Sequence, residues 1–100
     1  MKYKYYQFKD TAPWRGAYNK DTFTMDDYEL KHEGNVVSVP GGTSTDEIVM
    51  TFLQYSMKKN FPKDFNGREL KTGDLLITAD GLVYYYEIFG YSLIQNITKG

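Results

Sequence analysis

The chain has 100 residues, 12 basic and 13 acidic side chains, a net charge of −1 at pH 7 and no cysteine. This length gives room for one hydrophobic core, so we expect a single domain over residues 1–100 with a linker-like stretch at 39–43. The absence of cysteine excludes disulfides and cysteine zinc sites, and the charge balance is unlike that of proteins that bind by neutralising nucleic-acid phosphates. No apolar run approaches the length of a membrane span and the N-terminus lacks a signal peptide, so we expect a cytoplasmic protein with no membrane contact.

The first element in chain order is a strand. Residues 2–9 alternate charged or polar side chains with aromatic ones and contain no breaker. This period of two predicts a β-strand with Tyr3, Tyr5 and Gln7 on one face and Tyr6 and Phe8 on the other. Because both faces carry rings, we expect this strand to have neighbours rather than to form a solvent-facing edge.

A loop and then a hairpin are expected over residues 10–39. Residues 10–27, which include Trp14 and Arg15, show no sustained period and contain several turn-forming residues, which is typical of a loop. Two β-prone runs at 28–32 and 35–39 lie on either side of Gly34. Glycine and asparagine tolerate the positive φ of a tight turn, so the pattern predicts a hairpin around residues 33–35.

A helix is predicted after the Pro-Gly-Gly stretch at 40–42. Residues 44–47 (STDE) match a capping box, in which the hydroxyl of Ser44 accepts a hydrogen bond from the third helical residue and Glu47 reaches back to the cap. Apolar side chains then recur on one helical face, at Ile48, Val49, Phe52, Leu53 and Tyr55. We therefore expect a helix from about residue 45 to residue 59, ended by Pro62 and lying on a sheet.

The last third of the sequence predicts an anchored loop and a β-meander. Phe61 and Phe65 are expected to tuck beneath a loop at 61–70. Asp80-Gly81 separates two β-prone runs at 74–79 and 82–89, which is a strong signal of a hairpin. Gly90 permits a second bend before a third strand at 91–97. The expected fold is α+β, with a small antiparallel sheet, one main helix packed on it and a C-terminal meander.

No pattern in the sequence indicates catalysis, a metal or a cofactor. His32 is the only histidine and has no second ligand at metal-site spacing, so a surface or hairpin position explains it best. The neighbouring carboxylates Asp46 and Glu47 are explained by helix capping. The sequence also lacks a phosphate-binding glycine loop. We therefore expect a protein that is not an enzyme and has no cofactor.

The aromatic side chains, ten tyrosines among them, are expected to include exposed rings. On a strand, Tyr84 and Tyr86 point to one side and Tyr85 to the other, and the simplest interpretation places at least one side in the core. The alternative is an aromatic patch for a protein partner, drawn from Tyr85, Tyr91, Tyr3, Tyr5 and Trp14. A stacking platform for single-stranded nucleic acid, beside the basic residues of the first strand, would use the same rings.

Three segments, 5–10 (YYQFKD), 62–70 (PKDFNGREL) and 85–91 (YYEIFGY), occur in this order around the predicted helix. In order and spacing they resemble the YodL-like domain family, small proteins encoded on phages, plasmids and conjugative elements of Gram-positive bacteria. The chain differs from the family pattern at 68–69, 71–73 and 87–88. The resemblance implies a mobile-element accessory protein that acts in a bacterial host, and it does not imply an enzyme.

Together these inferences predict a protein that binds and modulates or inhibits a host protein, with a defence nuclease of the restriction or CRISPR type as a candidate target. A nucleic-acid-binding accessory factor is the alternative. Within the 61–70 loop, Asn66, Arg68 and Glu69 are the predicted partner-binding residues, because apolar anchors can hold polar tips on a rigid scaffold. We expect binding to depend most on Arg68 and the fold not to need it. The competing interpretation is that Arg68 braces the loop by pairing with Asp64 or Asp74.

Overall fold

The computed structural model describes residues 1–9, 16–88 and 90–94, which form a five-stranded antiparallel sheet with one α-helix. The strands are β1 (Lys2–Phe8), β2 (Tyr28–Asn35), β3 (Leu75–Thr78), β4 (Val83–Glu87) and β5 (Gly90–Ile94), and the helix α1 spans Ser44–Leu53. Short 3-10 helices occupy Met25–Asp27 and Lys58–Asn60. The strand order is β2-β1-β3-β4-β5. The predicted α+β class is confirmed.

β1 lies between β2 and β3, as expected for a strand with rings on both faces. Tyr3, Tyr5 and Gln7 point to one side of the sheet and are at most 3% exposed. Tyr6 and Phe8 point to the other side and are half-buried. The predicted alternation is confirmed, with one register shift against β2 between Tyr5 and Tyr6.

β2 is one continuous strand, so the hairpin predicted around residues 33–35 is wrong. Tyr3 pairs with Gly34, which places the expected turn inside the sheet. Gly34 allows a close approach instead of a turn, since a Cβ atom there would lie 3.1 Å from the hydroxyl oxygen of Tyr3. The lack of a side chain at Gly34 thus leaves space for the Tyr3 ring packed against it from the neighbouring strand.

The cap of α1 is Thr43 rather than the predicted Ser44. The Thr43 hydroxyl accepts a hydrogen bond from the N–H of Asp46, and the Asp46 carboxylate accepts one from the N–H of Thr43. Both the Thr43/Asp46 and the Ser44/Glu47 spacing satisfy the capping-box pattern, and the structure uses the earlier one.

α1 ends at Leu53 and does not continue to the predicted residue 59. The next turn tightens, because the N–H of Tyr55 donates to the carbonyl of Phe52 and that of Ser56 donates to Leu53. The ring of Tyr55 is then fully buried against the sheet, stacked on Tyr5 with 3.9 Å between ring centroids. Packing of this ring accompanies the early end of the helix.

The hairpin predicted at Asp80-Gly81 is present between β3 and β4. The N–H of Gly81 donates to the carbonyl of Thr78, and the N–H of Thr78 donates to the carbonyl of Leu82. Gly81 has a φ of +87°, a left-handed conformation that favours glycine. β5 then pairs with β4, so the meander is confirmed over its described strands. Residues 95–97 of the predicted third strand lie outside the described residues.

Buried side chains cover both faces of the sheet. On one face, the helix-side core consists of Tyr3, Tyr5, Ile48, Phe52, Tyr55, Phe65 and Leu76. On the other face, the back-side core consists of Leu75, Val83, Tyr85 and Ile94, with half-buried side chains of the 18–28 segment packed against it. Tyr84 and Tyr86 pack against the helix-side core, so both faces of β4 contribute to the interior, as its simplest interpretation predicted.

Candidate functional site

The 61–70 loop lies beside β1 and is held by aromatic anchors. Phe65 is 6% exposed, and its ring centroid lies 4.8 Å from those of both Tyr55 and Phe61. The N–H of Leu70 donates to the carbonyl of Tyr55 at 2.8 Å, which ties the end of the loop to the chain after α1. The expectation that Phe61 and Phe65 anchor this loop is confirmed.

Arg68 and Asp74 form a forked ion pair beneath the loop. The guanidinium donates to both carboxylate oxygens, at 2.8 and 2.9 Å. The Asp74 side chain is fully buried and that of Arg68 is 23% exposed. The guanidinium also lies 4.4 Å from the centroid of the Phe8 ring. Removal of Arg68 would leave the charge of Asp74 buried in the core. The geometry therefore favours the bracing interpretation of Arg68, and the expectation that the fold does not need this side chain stays a prediction.

Asp74 also joins the loop to β1 through hydrogen bonds. Its Oδ2 accepts from the Tyr5 hydroxyl at 3.0 Å and from the N–H of Lys71 at 2.9 Å. Gln7 Nε2 donates to the Tyr5 hydroxyl oxygen at 3.0 Å and to the carbonyl of Arg68 at 2.8 Å. Burial, followed by the charge of Asp74, raises the pKa of Tyr5. This network fixes the loop backbone at Arg68 relative to β1.

Above this network the loop presents polar side chains to solvent. Its exposed residues are Lys63, Asp64, Asn66 and Glu69. A cleft of about 210 Å³ lies next to them, lined by Gln7, Phe8, Glu29, Lys31, Asn66, Gly67 and Arg68. Of the three residues that the sequence predicts as binding tips, Asn66 and Glu69 therefore reach the surface, and Arg68 lies between them at the base.

Unlike Asn66 and Glu69, most of the aromatic residues predicted to bind a partner have little surface exposed to solvent. Tyr3, Tyr5 and Tyr85 are at most 4% exposed, so a partner cannot reach their rings in the folded protein. Tyr91 is half-buried, and its hydroxyl lies 3.2 Å from that of Thr45. Over residues 1–9, 16–88 and 90–94 every aromatic residue is buried or half-buried, so the rings that remain accessible there are only partly exposed. Trp14 and Arg15 lie outside the described residues.

A second polar chain crosses the helix-side core and is not predicted by the sequence patterns. The hydroxyls of Tyr3 and Tyr55 lie 2.6 Å apart, and Gln54 donates to the Tyr3 hydroxyl at 2.8 Å. Nδ1 of His32 lies 2.7 Å from the Tyr55 hydroxyl, so His32 belongs to this chain. It is half-buried on the edge strand β2, which agrees only in part with the expected surface position. Burial raises the pKa of both tyrosines. The sequence does indicate that a tyrosine facing the core needs a hydrogen-bond partner for its hydroxyl. It does not identify that partner, because the partners come from segments that are distant in the chain.

The described residues show neither a metal-ligand cluster nor a membrane-spanning helix. In that part of the chain, no three His, Asp or Glu side chains are placed to hold a metal ion together. None of its helices has the length and apolar character needed to cross a bilayer. α1 has 10 residues, whereas a span needs about 20.

Comparison with known proteins returned no relative of this chain: no family model, curated protein or solved structure matches it. The resemblance to the YodL-like domain family therefore stays a prediction. The geometry of the 61–70 loop is the main support for a functional proposal.

Proposed function

We propose that the protein is an accessory protein of a mobile element, a phage or plasmid of a Gram-positive bacterium, and that it binds and inhibits a host protein through the 61–70 loop. The observation that carries this proposal is the contrast within the loop: Asn66 and Glu69 are exposed, while the backbone between them is fixed by Gln7 and by the Arg68–Asp74 pair. A segment that is already ordered loses little conformational entropy on binding, which favours affinity from a few polar tips.

A protein fits this loop better than a nucleic acid does. Its exposed charged residues are Lys63, Asp64 and Glu69, two acidic side chains against one basic. A stacking platform would need accessible rings on β1, whereas Tyr3 and Tyr5 are at most 3% exposed. The alternative of a nucleic-acid-binding factor thus has no support from the rings of Tyr3 and Tyr5, and the overall charge of −1 does not favour it.

We propose a defence nuclease of the restriction or CRISPR type as the target, supported by the resemblance to a family encoded beside antirestriction and conjugation genes. The protein would be expressed in a restricting host and in a CRISPR-immune Gram-positive host, each challenged with a phage that the host attacks. Plating efficiency should rise with the protein on one of the two hosts. Equal plating with and without the protein on both hosts contradicts this target class, while binding itself is tested separately.

Binding through the loop can be tested by capture from host lysate, followed by quantitative mass spectrometry. The loop variant carries Asn66→Ala and Glu69→Ala. The matched control carries Glu33→Ala and Asn35→Ala, the same residue types exposed on β2. We expect one protein to be enriched by the parent and the control but not by the loop variant, with similar melting temperatures for all three. A partner that the loop variant retains in full would place the binding surface elsewhere.

A further inference from the structure

A second concave surface, here called the turn-end groove, lies between the start of α1 and the β3–β4 turn. Its volume is about 490 Å³, within the roughly 300–1,000 Å³ typical of ligand sites. Val36, Ile48 and Tyr84 are the apolar lining residues that are buried or half-buried, whereas Leu82 and Met1 are 36% and 65% exposed. The groove thus combines apolar and polar lining residues, and two of its apolar side chains remain open to solvent.

Two carboxylates line the same groove without a cationic partner. Oε2 of Glu47 accepts a hydrogen bond from the N–H of Val39 at 3.3 Å, and Oδ1 of Asp80 accepts one from the hydroxyl of Thr78. The ion pairs found among the described residues join Lys31 to Glu29 and Arg68 to Asp74, at other places in the fold. The second oxygen of each groove carboxylate is therefore available to a donor from outside.

Acidic groups outnumber basic ones at the groove. Its lining includes the carboxylates of Glu47 and Asp80, against the amino group of Met1. Asp46, in the first turn of α1, offsets the partial positive charge at the N-terminus of the helix. Burial, followed by the charge of Asp80, raises the pKa of the Tyr84 phenol. Charge complementarity therefore selects a cationic occupant, and the apolar lining selects one with an aliphatic or flat surface.

We propose that the turn-end groove binds an arginine side chain of a partner protein together with an apolar residue beside it. The methylene stem of the arginine covers Ile48, and the guanidinium contacts Asp80 or Glu47 while lying on the ring of Tyr84. Lysine supplies the charge but neither the forked contact with a carboxylate nor the stacking surface. Arginine is also enriched among residues that dominate interface energies. This inference goes beyond the proposed function, since the groove shares no residue with the 61–70 loop.

The experiment is an NMR titration of the ¹⁵N-labelled protein with the blocked dipeptide acetyl-leucyl-arginine amide. The neutral isostere acetyl-leucyl-citrulline amide is the matched probe, because it differs from the arginine peptide in charge and hardly in shape. We expect saturable shifts of the backbone amides of Ile48, Leu82 and Tyr84 with the arginine peptide, and affinity weaker by about two- to fivefold with citrulline, the value of one exposed ion pair.

Variants test the carboxylates separately. Glu47→Gln with Asp80→Asn keeps an acceptor oxygen for each internal hydrogen bond of the two side chains and should also weaken binding of the arginine peptide by about two- to fivefold. Asp21→Asn with Glu33→Gln removes the same charge from exposed positions outside both the groove and the 61–70 loop and should leave the affinity nearly unchanged. Three results with the parent protein would each overturn the proposal: equal affinity for the two peptides, shifts confined to other residues, or no saturable shift. None of them depends on a variant that folds. These results are independent of the loop variants, so either proposal can fail alone.

Discussion

The two ends of β3 use aspartate in opposite ways. Asp74, directly before the strand, is fully buried and receives donors from Arg68 and Tyr5. Asp80, after the strand, is exposed, and its described hydrogen bonds come from the adjacent turn, from Thr78 and Leu82. The buried carboxylate stabilises the scaffold that presents the 61–70 loop, whereas the exposed one keeps an oxygen available to another molecule.

This difference shows that residue type alone does not identify a binding residue. Arg68 has the side chain most typical of an interface hot spot, yet it is engaged by Asp74 inside the protein. Available binding groups are instead those that the fold leaves without an internal partner. Each prediction below either breaks this contrast or makes it sharper.

The largest effect is expected at alkaline pH, where the buried tyrosines must ionise. The pKa values of Tyr5 and Tyr55 are raised above the unfolded value by burial. A raised folded pKa gives stability that is fully present below the unfolded pKa of about 10 and is lost as the pH rises above it, by about 3 kcal/mol per pH unit for two such groups. Circular dichroism and phenolate absorbance should therefore change together.

Tyr84 provides the comparison for this titration, because it is only half-buried beside Asp80 at the other end of β3. The signal of Tyr84 is isolated by subtracting the titration of Tyr84→Phe, and ionisation of Tyr84 should be complete at a lower pH than the cooperative transition that exposes Tyr5 and Tyr55. If Tyr5 and Tyr55 ionise while the circular dichroism of the folded protein persists, their hydroxyls are accessible to solvent in the folded protein.

The next largest effect is expected for Arg68→Ala. The substitution leaves the Asp74 carboxylate buried with the Tyr5 hydroxyl and the Lys71 N–H but no cation, which should cost about 3 kcal/mol of unfolding free energy. Denaturant unfolding measures this. Adding Asp74→Asn to the same protein should recover part of the loss, because the charge is then gone. An unchanged free energy in Arg68→Ala would show that the pair does not form and return Arg68 to the binding surface.

The sequence predicted well what depends on neighbouring residues. The alternation of β1 and the Asp80-Gly81 turn follow from side-chain period and backbone preference, which act within a few residues. It failed where a ring on a distant part of the chain contacts the segment: the Tyr3 ring on the neighbouring strand β1 packs against Gly34, and α1 ends where Tyr55 stacks on Tyr5. The same holds for the candidate site, since Asn66 and Glu69 are recognisable as loop tips, whereas the Arg68–Asp74 pair depends on the packing of the loop against β1.

Gly67→Ala is expected to destabilise the protein by about 2 kcal/mol, through overpacking beneath the loop. A Cβ atom at this position would lie 2.4 Å from the ring of Phe65 and 2.8 Å from Oε1 of Gln7. Thermal or denaturant unfolding gives the value, and Asn66→Ala, an exposed neighbour, is the control that should change little. Equal stability of the two variants would mean that the loop is not packed down on Gln7, and it would weaken the claim that the tips are preorganised.

A smaller effect distinguishes the two possible caps of α1, which begins beside the turn-end groove. Thr43→Ala should cost about 1 kcal/mol, because the N–H of Asp46 loses its acceptor, and Ser44→Ala should cost only a few tenths of that. Denaturant midpoints of the two variants, compared with the parent, give the answer. A larger loss of stability in Ser44→Ala than in Thr43→Ala would assign the cap to Ser44. The first turn of α1 would then begin one residue later, and Glu47 would take the capping-box position of Asp46.

The smallest effect completes the comparison of the two ends of β3. Asp80→Asn retains an oxygen for the Thr78 hydroxyl and the Leu82 N–H, and Glu47→Gln retains one for the Val39 N–H. What is lost is charge alone, chiefly the attraction of Glu47 to the N-terminus of α1, so the pair of substitutions should change the unfolding free energy by no more than about 0.5 kcal/mol. The matched measurement is Arg68→Ala under the same conditions. A loss comparable to that of Arg68→Ala would show that the groove carboxylates also serve the fold, whereas near-parent stability leaves them available for an external cation.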